Sequence, residues 1–360
     1  MKAAFPYMGS IHIPIGAIIR TLGGEAVVPP PPDTSTVQTG VRLAPEQMCI
    51  PFKITLGNMV RCLEAGADTL VYTGGSWSCR YGYYGPLQYE ILKEEGYDCR
   101  MLLLRRERLG ELVHTVVGLS HGSWARAIVR SALAARLGWH KSSAVDAVDA
   151  CWRRVLPSAL DRKLCSRIRA RAIAAVDRTD NVRAVQRIGR AACAGLEVLP
   201  RSSGAPPLRV RIVGESYCVL EPFITFDIVR RLGELGVQAE PFLTAHRWLG
   251  FHGLRLNKSE VIRARRAARR WWRQCVGGED ENSVGQFVLA AEDGYAGVVH
   301  VGPFGCMPGT VVQPTLQRLS DELDLPYMAL SLDEHSSEAG LVTRLEAFVS
   351  LLERRRSRLD

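Results

Sequence analysis

The sequence contains no run of about 18 apolar residues, so it offers no segment that reads as a membrane-crossing helix. Its first twenty residues, MKAAFPYMGSIHIPIGAIIR, read as a strand, a turn and a helix and not as a signal peptide. Together these features predict a cytoplasmic protein. No CxxC or CxxxC spacing occurs among the ten cysteines, which excludes the common zinc-ribbon and ferredoxin motifs. A reducing compartment also argues against disulfides, leaving core filling, metal ligation or thiol chemistry as the uses of these residues. Neither GxxxxGK[ST] nor a GxGxxG following a strand is present, so ATP binding by this chain is not expected. The charged fraction of 23% is ordinary, which excludes general disorder.

What is present is a chain of 360 residues, 47% hydrophobic, long enough for two or three compact units. The net charge of +9 draws on arginines at helix-like spacing, such as Arg263, Arg265, Arg266, Arg269, Arg270 and Arg273. The simplest reading is a solvated helix face, and nucleic acid is not the expected partner. A basic face also suits nucleotides or the phosphates of coenzyme A.

The pattern of elements predicts an α/β fold of two Rossmann-like lobes with parallel sheets and an intervening helical segment. The expected division is 1–106, an N-terminal α/β lobe; 107–205, a helical segment ending in the linker Pro200–Pro207; and 206–360, a C-terminal α/β lobe. In the first lobe strands are expected near Lys2–Tyr7, Glu25–Val28, Thr69–Thr73 and Cys99–Leu104; the second stops at the proline run Pro29–Pro32, and a long turn then ends at 45–51, before a helix from about Phe52 to Ala65. In the second they are expected near Arg209–Val213, Val237–Phe242, Val298–Val301 and Tyr327–Ser331, with a basic helix over Ser259–Cys275. No residue-level repeat is evident, although each half carries a strand that runs into a glycine-containing loop with one cysteine.

The cysteines sort by context. Cys62, Cys151, Cys165, Cys193 and Cys275 fall in helix-like stretches of Leu, Ala and Arg, where a cysteine acts as a small hydrophobe. Cys79 and Cys306 instead follow strands, in loops at the carboxyl edge of an open sheet where ligands bind. Cys49 precedes a helix, whose N-terminus favours a thiolate. The residues alone leave two readings open: a metal site assembled from distant segments, or three unrelated loop thiols. Glu46, Lys53 and Arg80 flank these cysteines, and Glu215 follows a strand. Asp333, Glu334 and His335 also follow a strand, with an acid–base role and a helix-capping turn as the two readings.

The segments PEQMCIPFKITLGN, GADTLVYTGG…CRYGYYGPLQYEIL, IVGESYCVLEPFITFDIVRRLGELGV, VVHVGPFGCMP and SLDEHSSEAGLVTRLEAF resemble, in order and over most of the chain, the CoA protein activase family. That family is distantly related to the 2-hydroxyacyl-CoA (2-hydroxyglutaryl-CoA) dehydratase subunits. The resemblance implies a [4Fe-4S] cluster held by Cys49, Cys79 and Cys306, with one iron open to substrate or water. It implies anaerobic metabolism, with low-potential electron transfer or reductive chemistry on a CoA thioester, as a dehydratase-like lyase or a reductase component. Glu334 and His335 are the candidate catalytic residues. The implied partners are an ATP-dependent activator protein and a related dehydratase-like subunit. The other readings are a non-catalytic partner of such an activator and a structural zinc protein. One departure stands out: Trp77-Ser78 occupies the place where Gly-Pro is expected before the second cysteine.

Overall fold

In the computed structural model, residues 1–73, 79–104, 109–253 and 258–359 are described. Residues 74–78 of the glycine-containing loop expected before Cys79, including the departure at Trp77-Ser78, lie outside them. The chain divides into two compact units, Met1–Ser143 with Val176–Gln186, and Ala144–Ala175 with Arg187–Asp360.

The first unit is built on strands β1 (Lys2–Ala4), β2 (Glu25–Val27), β3 (Thr69–Thr73) and β4 (Arg100–Leu104). They form one parallel sheet in the order β2-β1-β3-β4. Helix α1 (His12–Leu22) joins β1 to β2, and α2 (Thr34–Leu43) and α3 (Ile50–Glu64) join β2 to β3. Helix α4 (Tyr84–Glu94) leads into β4, followed by α5 (Leu109–Leu119) and the long α6 (Trp124–Val155).

Helix α2 occupies part of the stretch that the sequence reading assigned to a turn. Pro29–Pro32 ends β2, and Asp33 then caps α2 by accepting from the Thr36 amide at 2.9 Å while the Thr36 hydroxyl accepts from the Asp33 amide. The ammonium of Lys141 on α6 is fully buried and donates to the Asp177 carbonyl and the Asp180 carboxylate, each at 2.8 Å.

Helix α3 is buried almost all round, with Phe52, Leu56, Met59 and Cys62 facing Leu70 and Tyr72 of the sheet in one core. It meets α2 backbone to backbone. A methyl group on Gly40 would lie 1.8 Å from the Lys53 carbonyl oxygen, and one on Gly57 would lie 2.1 Å from that of Thr36. Only glycine permits this crossing.

The second unit repeats the strand order. Strands β5 (Leu208–Gly214), β6 (Val237–Pro241), β7 (Gly297–Pro303) and β8 (Tyr327–Leu332) form a parallel sheet ordered β6-β5-β7-β8. The helical elements are α7 (Arg162–Asp177), α8 (Val182–Glu197), α9 (Ser216–Leu220), α10 (Ile228–Glu234), α11 (Ala245–Trp248), α12 (Lys258–Ala268), α13 (Asp280–Glu292), α14 (Met307–Glu322) and α15 (Glu338–Leu359). The three boundaries between the units fall within helices, after Ser143 in α6, after Ala175 in α7 and after Gln186 in α8. The fold is thus α/β with two Rossmann-like lobes, as the alternation of patterns predicted.

Two details differ from the sequence reading in this lobe. Helix α12 ends at Ala268 and not at Cys275, because the following loop wraps around the buried Asp280 carboxylate. That carboxylate accepts from the Trp272 indole at 3.0 Å, from the Val276 and Gly277 amides at 2.5 and 3.3 Å, and from the Cys275 thiol at 3.3 Å. Helix α13, which that reading left without an element, starts at Asp280 and crosses α12 through Gly285, where a methyl group would lie 2.0 Å from the Ala264 carbonyl oxygen.

The helix–strand units α3–β3 and α13–β7 share one spacing. Gly57 and Gly285 make the helix crossings, and nine positions later Gly66 and Gly294 end the helices with φ of +90° and +70°. The strand begins three positions after each of these glycines.

Candidate metal centre

Cys49 lies immediately before α3, with extended backbone (φ −69°, ψ 156°), and Pro51 occupies the first turn. Proline suits that turn because its missing N–H would have no partner there. The Cys49 thiol is half-buried and hydrogen-bonded to the hydroxyl of Tyr84, the first residue of α4. Tyr84 is itself buried, edge-on to Phe52 at 5.0 Å and 5.1 Å from the Tyr81 ring. Tyr81 in turn lies 5.9 Å from Tyr72, whose phenol burial pushes well above its usual range. An aromatic wall therefore stands behind the Cys49 thiol.

Cys79 begins a single 3-10 turn over Arg80–Tyr83 that runs into α4. The turn closes with the Gly82 amide donating to the Cys79 carbonyl at 3.2 Å. Arg80 reaches from it to the Gln47 carbonyl at 3.4 Å, which ties the Cys79 turn to the loop carrying Cys49. The base is firm: Gln88 of α4 donates to the Phe52 carbonyl at 3.0 Å and the Thr55 hydroxyl at 2.8 Å. The weaker candidates in this loop separate by burial, with Glu46 exposed and Lys53 buried on α3.

In the second lobe Cys306 follows β7 as Cys79 follows β3, and like Cys49 it stands at the start of a helix, α14, with extended backbone and Pro308 in the first turn. Cys49-Ile50-Pro51 and Cys306-Met307-Pro308 are thus the same Cys-x-Pro helix start. The Cys306 thiol is 9% exposed, while Phe304 beside it is 69% exposed. Behind Cys306, strand β7 presents the buried imidazole of His300, whose Nδ1 has no hydrogen-bond partner. Burial pushes this imidazole down to about 4, so it is neutral at pH 7. A methyl group on Gly309 would lie 3.3 Å from the Cys306 Sγ and 3.7 Å from the His300 Cε1. Thiol, imidazole and the first turn of α14 therefore enclose one small space.

The turn after β8 borders this loop, since the Phe304 amide donates to the Leu332 carbonyl at 2.7 Å. Glu334 is half-buried in that turn and His335 is exposed. Asp333 holds it by accepting from the His335 amide and the Ser336 hydroxyl, each at 3.0 Å, and the Ser337 hydroxyl caps α15 at the Gly340 amide. Capping by Ser337 and the presence of Glu334 and His335 at a strand's carboxyl edge are thus both realised. Glu215 has a structural use: its carboxylate caps α9 at the Cys218 amide, 3.0 Å away, and burial raises its proton affinity.

The helix cysteines have a different character. Burial pushes the Cys62 thiol up to about 12, Cys165 to about 11 and Cys193 to about 12, which makes them poor thiolates. None of Cys49, Cys79 and Cys306 uses its side chain to cap its own helical turn. Each of these helix-start sulfurs by itself suits a thiolate-loving metal, that of Cys49 bonded to a tyrosine hydroxyl and that of Cys306 beside a buried imidazole whose Nδ1 has no partner. Among the described residues, no three His, Cys, Asp or Glu side chains gather into a metal-holding group. Tyr84 on α4 and His300 on β7, which sequence reasoning did not single out, are the residues added beside these cysteines. No family model and no curated protein matches the chain. No helix among the described residues is long and apolar enough to cross a membrane.

Proposed function

We propose that the chain is an iron–sulfur protein in which Cys49, Cys79 and Cys306 hold a [4Fe-4S] cluster. Such a cluster, when bound by three thiolates, supplies a low-potential electron and an iron with an open position. The observation that carries the reading is the contrast among the thiols. The three cysteines at helix starts lie at or beside carboxyl-edge loops, whereas Cys62, Cys165 and Cys193 lie within helices with their thiols pushed far above neutrality. In this reading Tyr84 orients the Cys49 sulfur, Arg80 keeps the two first-lobe segments together, and the glycine at 309 leaves room beside the Cys306 sulfur.

The chemistry proposed is one-electron reduction with a CoA thioester as the substrate class, and an ATP-hydrolysing activator as electron donor. Glu334 and His335 would move protons at the second-lobe edge. Their support is position: the turn that carries them is hydrogen-bonded to the Cys306 loop.

The test is anaerobic purification followed by metal and acid-labile sulfide analysis. The expected result is a brown, air-bleached protein with about four irons and about four sulfides per chain. A colourless protein with stoichiometric zinc, prepared anaerobically with iron supplied, overturns the assignment.

A further inference from the structure

Strand β7 is the second-lobe counterpart of β3, and all seven of its residues are buried. A polar side chain at such a position needs a partner, because an unmade hydrogen bond in the interior costs about 1–3 kcal/mol. His300 is 1% exposed and its Nδ1 has none. A valine or leucine would fill a strand interior without that cost, so the imidazole calls for an explanation.

Its surroundings supply one. The ring carbon between the two nitrogens, Cε1, lies 3.5 Å from the point a Gly302 methyl group would occupy and 3.7 Å from that of Gly309. The Gly309 point is also 3.3 Å from the Cys306 Sγ. Two glycines thus keep side chains away from the nitrogen-bearing edge of the ring, and the Cys306 sulfur borders the same point as that edge.

We infer that His300 is a positioning residue for the cluster: its imidazole N–H donates to the sulfur of Cys306 when that sulfur is bound to iron. The inference rests on the cluster reading above. Hydrogen bonds to cluster sulfurs stabilise the reduced, more negative state and raise the reduction potential. The bond also fixes the sulfur against the first turn of α14. His300 touches no substrate in this role.

The experiment uses the full chain, reconstituted anaerobically with iron and sulfide, as wild type and as His300→Leu and His300→Gln. Iron per chain is measured first, and then the midpoint by EPR-monitored redox titration. His300→Leu should retain iron and lower the midpoint. At the wild-type midpoint its reduced-to-oxidised ratio should fall about tenfold, equivalent to about 59 mV for one electron. His300→Gln, which keeps an N–H donor, should recover most of that shift. An unchanged midpoint in iron-loaded His300→Leu overturns the inference and leaves the cluster reading standing. A wild type that takes up no iron overturns both.

Should His300→Leu fail to fold, wild-type protein labelled with nitrogen-15 histidine decides the matter by electron–nuclear double resonance on the reduced cluster. A weak nitrogen coupling, as an N–H···S contact gives, is the expected result. A strong coupling from a directly bound nitrogen, or none at all, overturns the inference.

Discussion

Tyr72 and His300 occupy the same place in the two lobes: each lies six positions beyond the left-handed glycine that ends the preceding helix, on the third strand of its sheet, and each is fully buried. The first belongs to the aromatic wall behind Cys49, and the second sits beside Cys306. Both lobes therefore place a polar group in the strand interior next to a helix-start cysteine.

Replacing Cys49, Cys79 or Cys306 with alanine should each remove most of the iron after identical anaerobic reconstitution, since each deletes one of the three proposed ligands. Cys151→Ala, Cys165→Ala and Cys275→Ala should retain it, at a packing cost of about 1 kcal/mol. Iron per chain for all six variants, with circular dichroism as the folding control, checks the contrast. A folded Cys306→Ala protein with full iron would remove Cys306 from the ligand set.

Tyr84→Phe should leave the first lobe folded, because the ring keeps its edge-on contact with Phe52 and loses only the hydroxyl bonded to Cys49. The expected stability loss is about 1 kcal/mol in urea denaturation. The reconstituted variant should bind iron but lose it faster to a chelator. Equal loss rates for variant and wild type would show that the hydroxyl does nothing for the Cys49 sulfur.

Gly57→Ala and Gly66→Ala separate two uses of glycine. The first forces a methyl group to within 2.1 Å of the Thr36 carbonyl oxygen, so α2 and α3 must part; the second meets open space but strains a backbone at φ +90°. Overpacking should cost about 3 kcal/mol or more, and the left-handed strain about 1–2 kcal/mol. Denaturation midpoints should follow that order, and the reverse order would contradict the crossing.

The pH dependence of stability should show Asp146. This half-buried carboxyl is pushed up to about 6 by burial, against the hydrogen bond from the Thr244 hydroxyl and with a further upward push from Asp149. Between the unfolded value near 3.8 and the folded value near 6, the folded state holds the extra proton. The contribution is therefore fully present below the lower value and lost as pH rises through the upper one. Asp146→Asn should flatten the fall in stability across that window, by at most about 3 kcal/mol. Parallel curves for wild type and variant between pH 4 and 6 would mean Asp146 titrates normally.

The sequence made the fold class legible because β-branched runs such as Thr69–Thr73 alternate with helical spacing, and that strand's bounds match the structure. It hid α2, since four consecutive prolines dominate the reading while the signal for the helix is only the Asp33–Thr36 cap. The basic run after Ala268 looked helical because arginines tolerate either state; the buried Asp280 carboxylate that folds the loop is a tertiary effect. Of the five cysteines read as helical, Cys62, Cys151, Cys165 and Cys193 lie in helices, and Cys275 lies in that loop. Tyr84 and His300 were invisible as partners because what marks them, a contact across 35 residues and a buried nitrogen without a mate, exists only in three dimensions. The repeat was legible in principle as two glycine pairs nine positions apart, but such a spacing says nothing until the helix crossings show what the first glycine of each pair is for.

The parallel pairing within both sheets also governs how fast the protein can fold. Each of the six pairings joins strands that run the same way, so no hairpin is available to start either sheet. Two strands can pair only after the chain between them has folded back across the sheet, and the entropy of closing that loop must be met before the pairing gives anything in return. Sheets of this kind fold slowly for their size. While β1 and β5 wait for their second neighbours, β3 and β7, the apolar edges that will become the lobe cores are open to other chains, which makes the interval before closure the protein's most aggregation-prone moment.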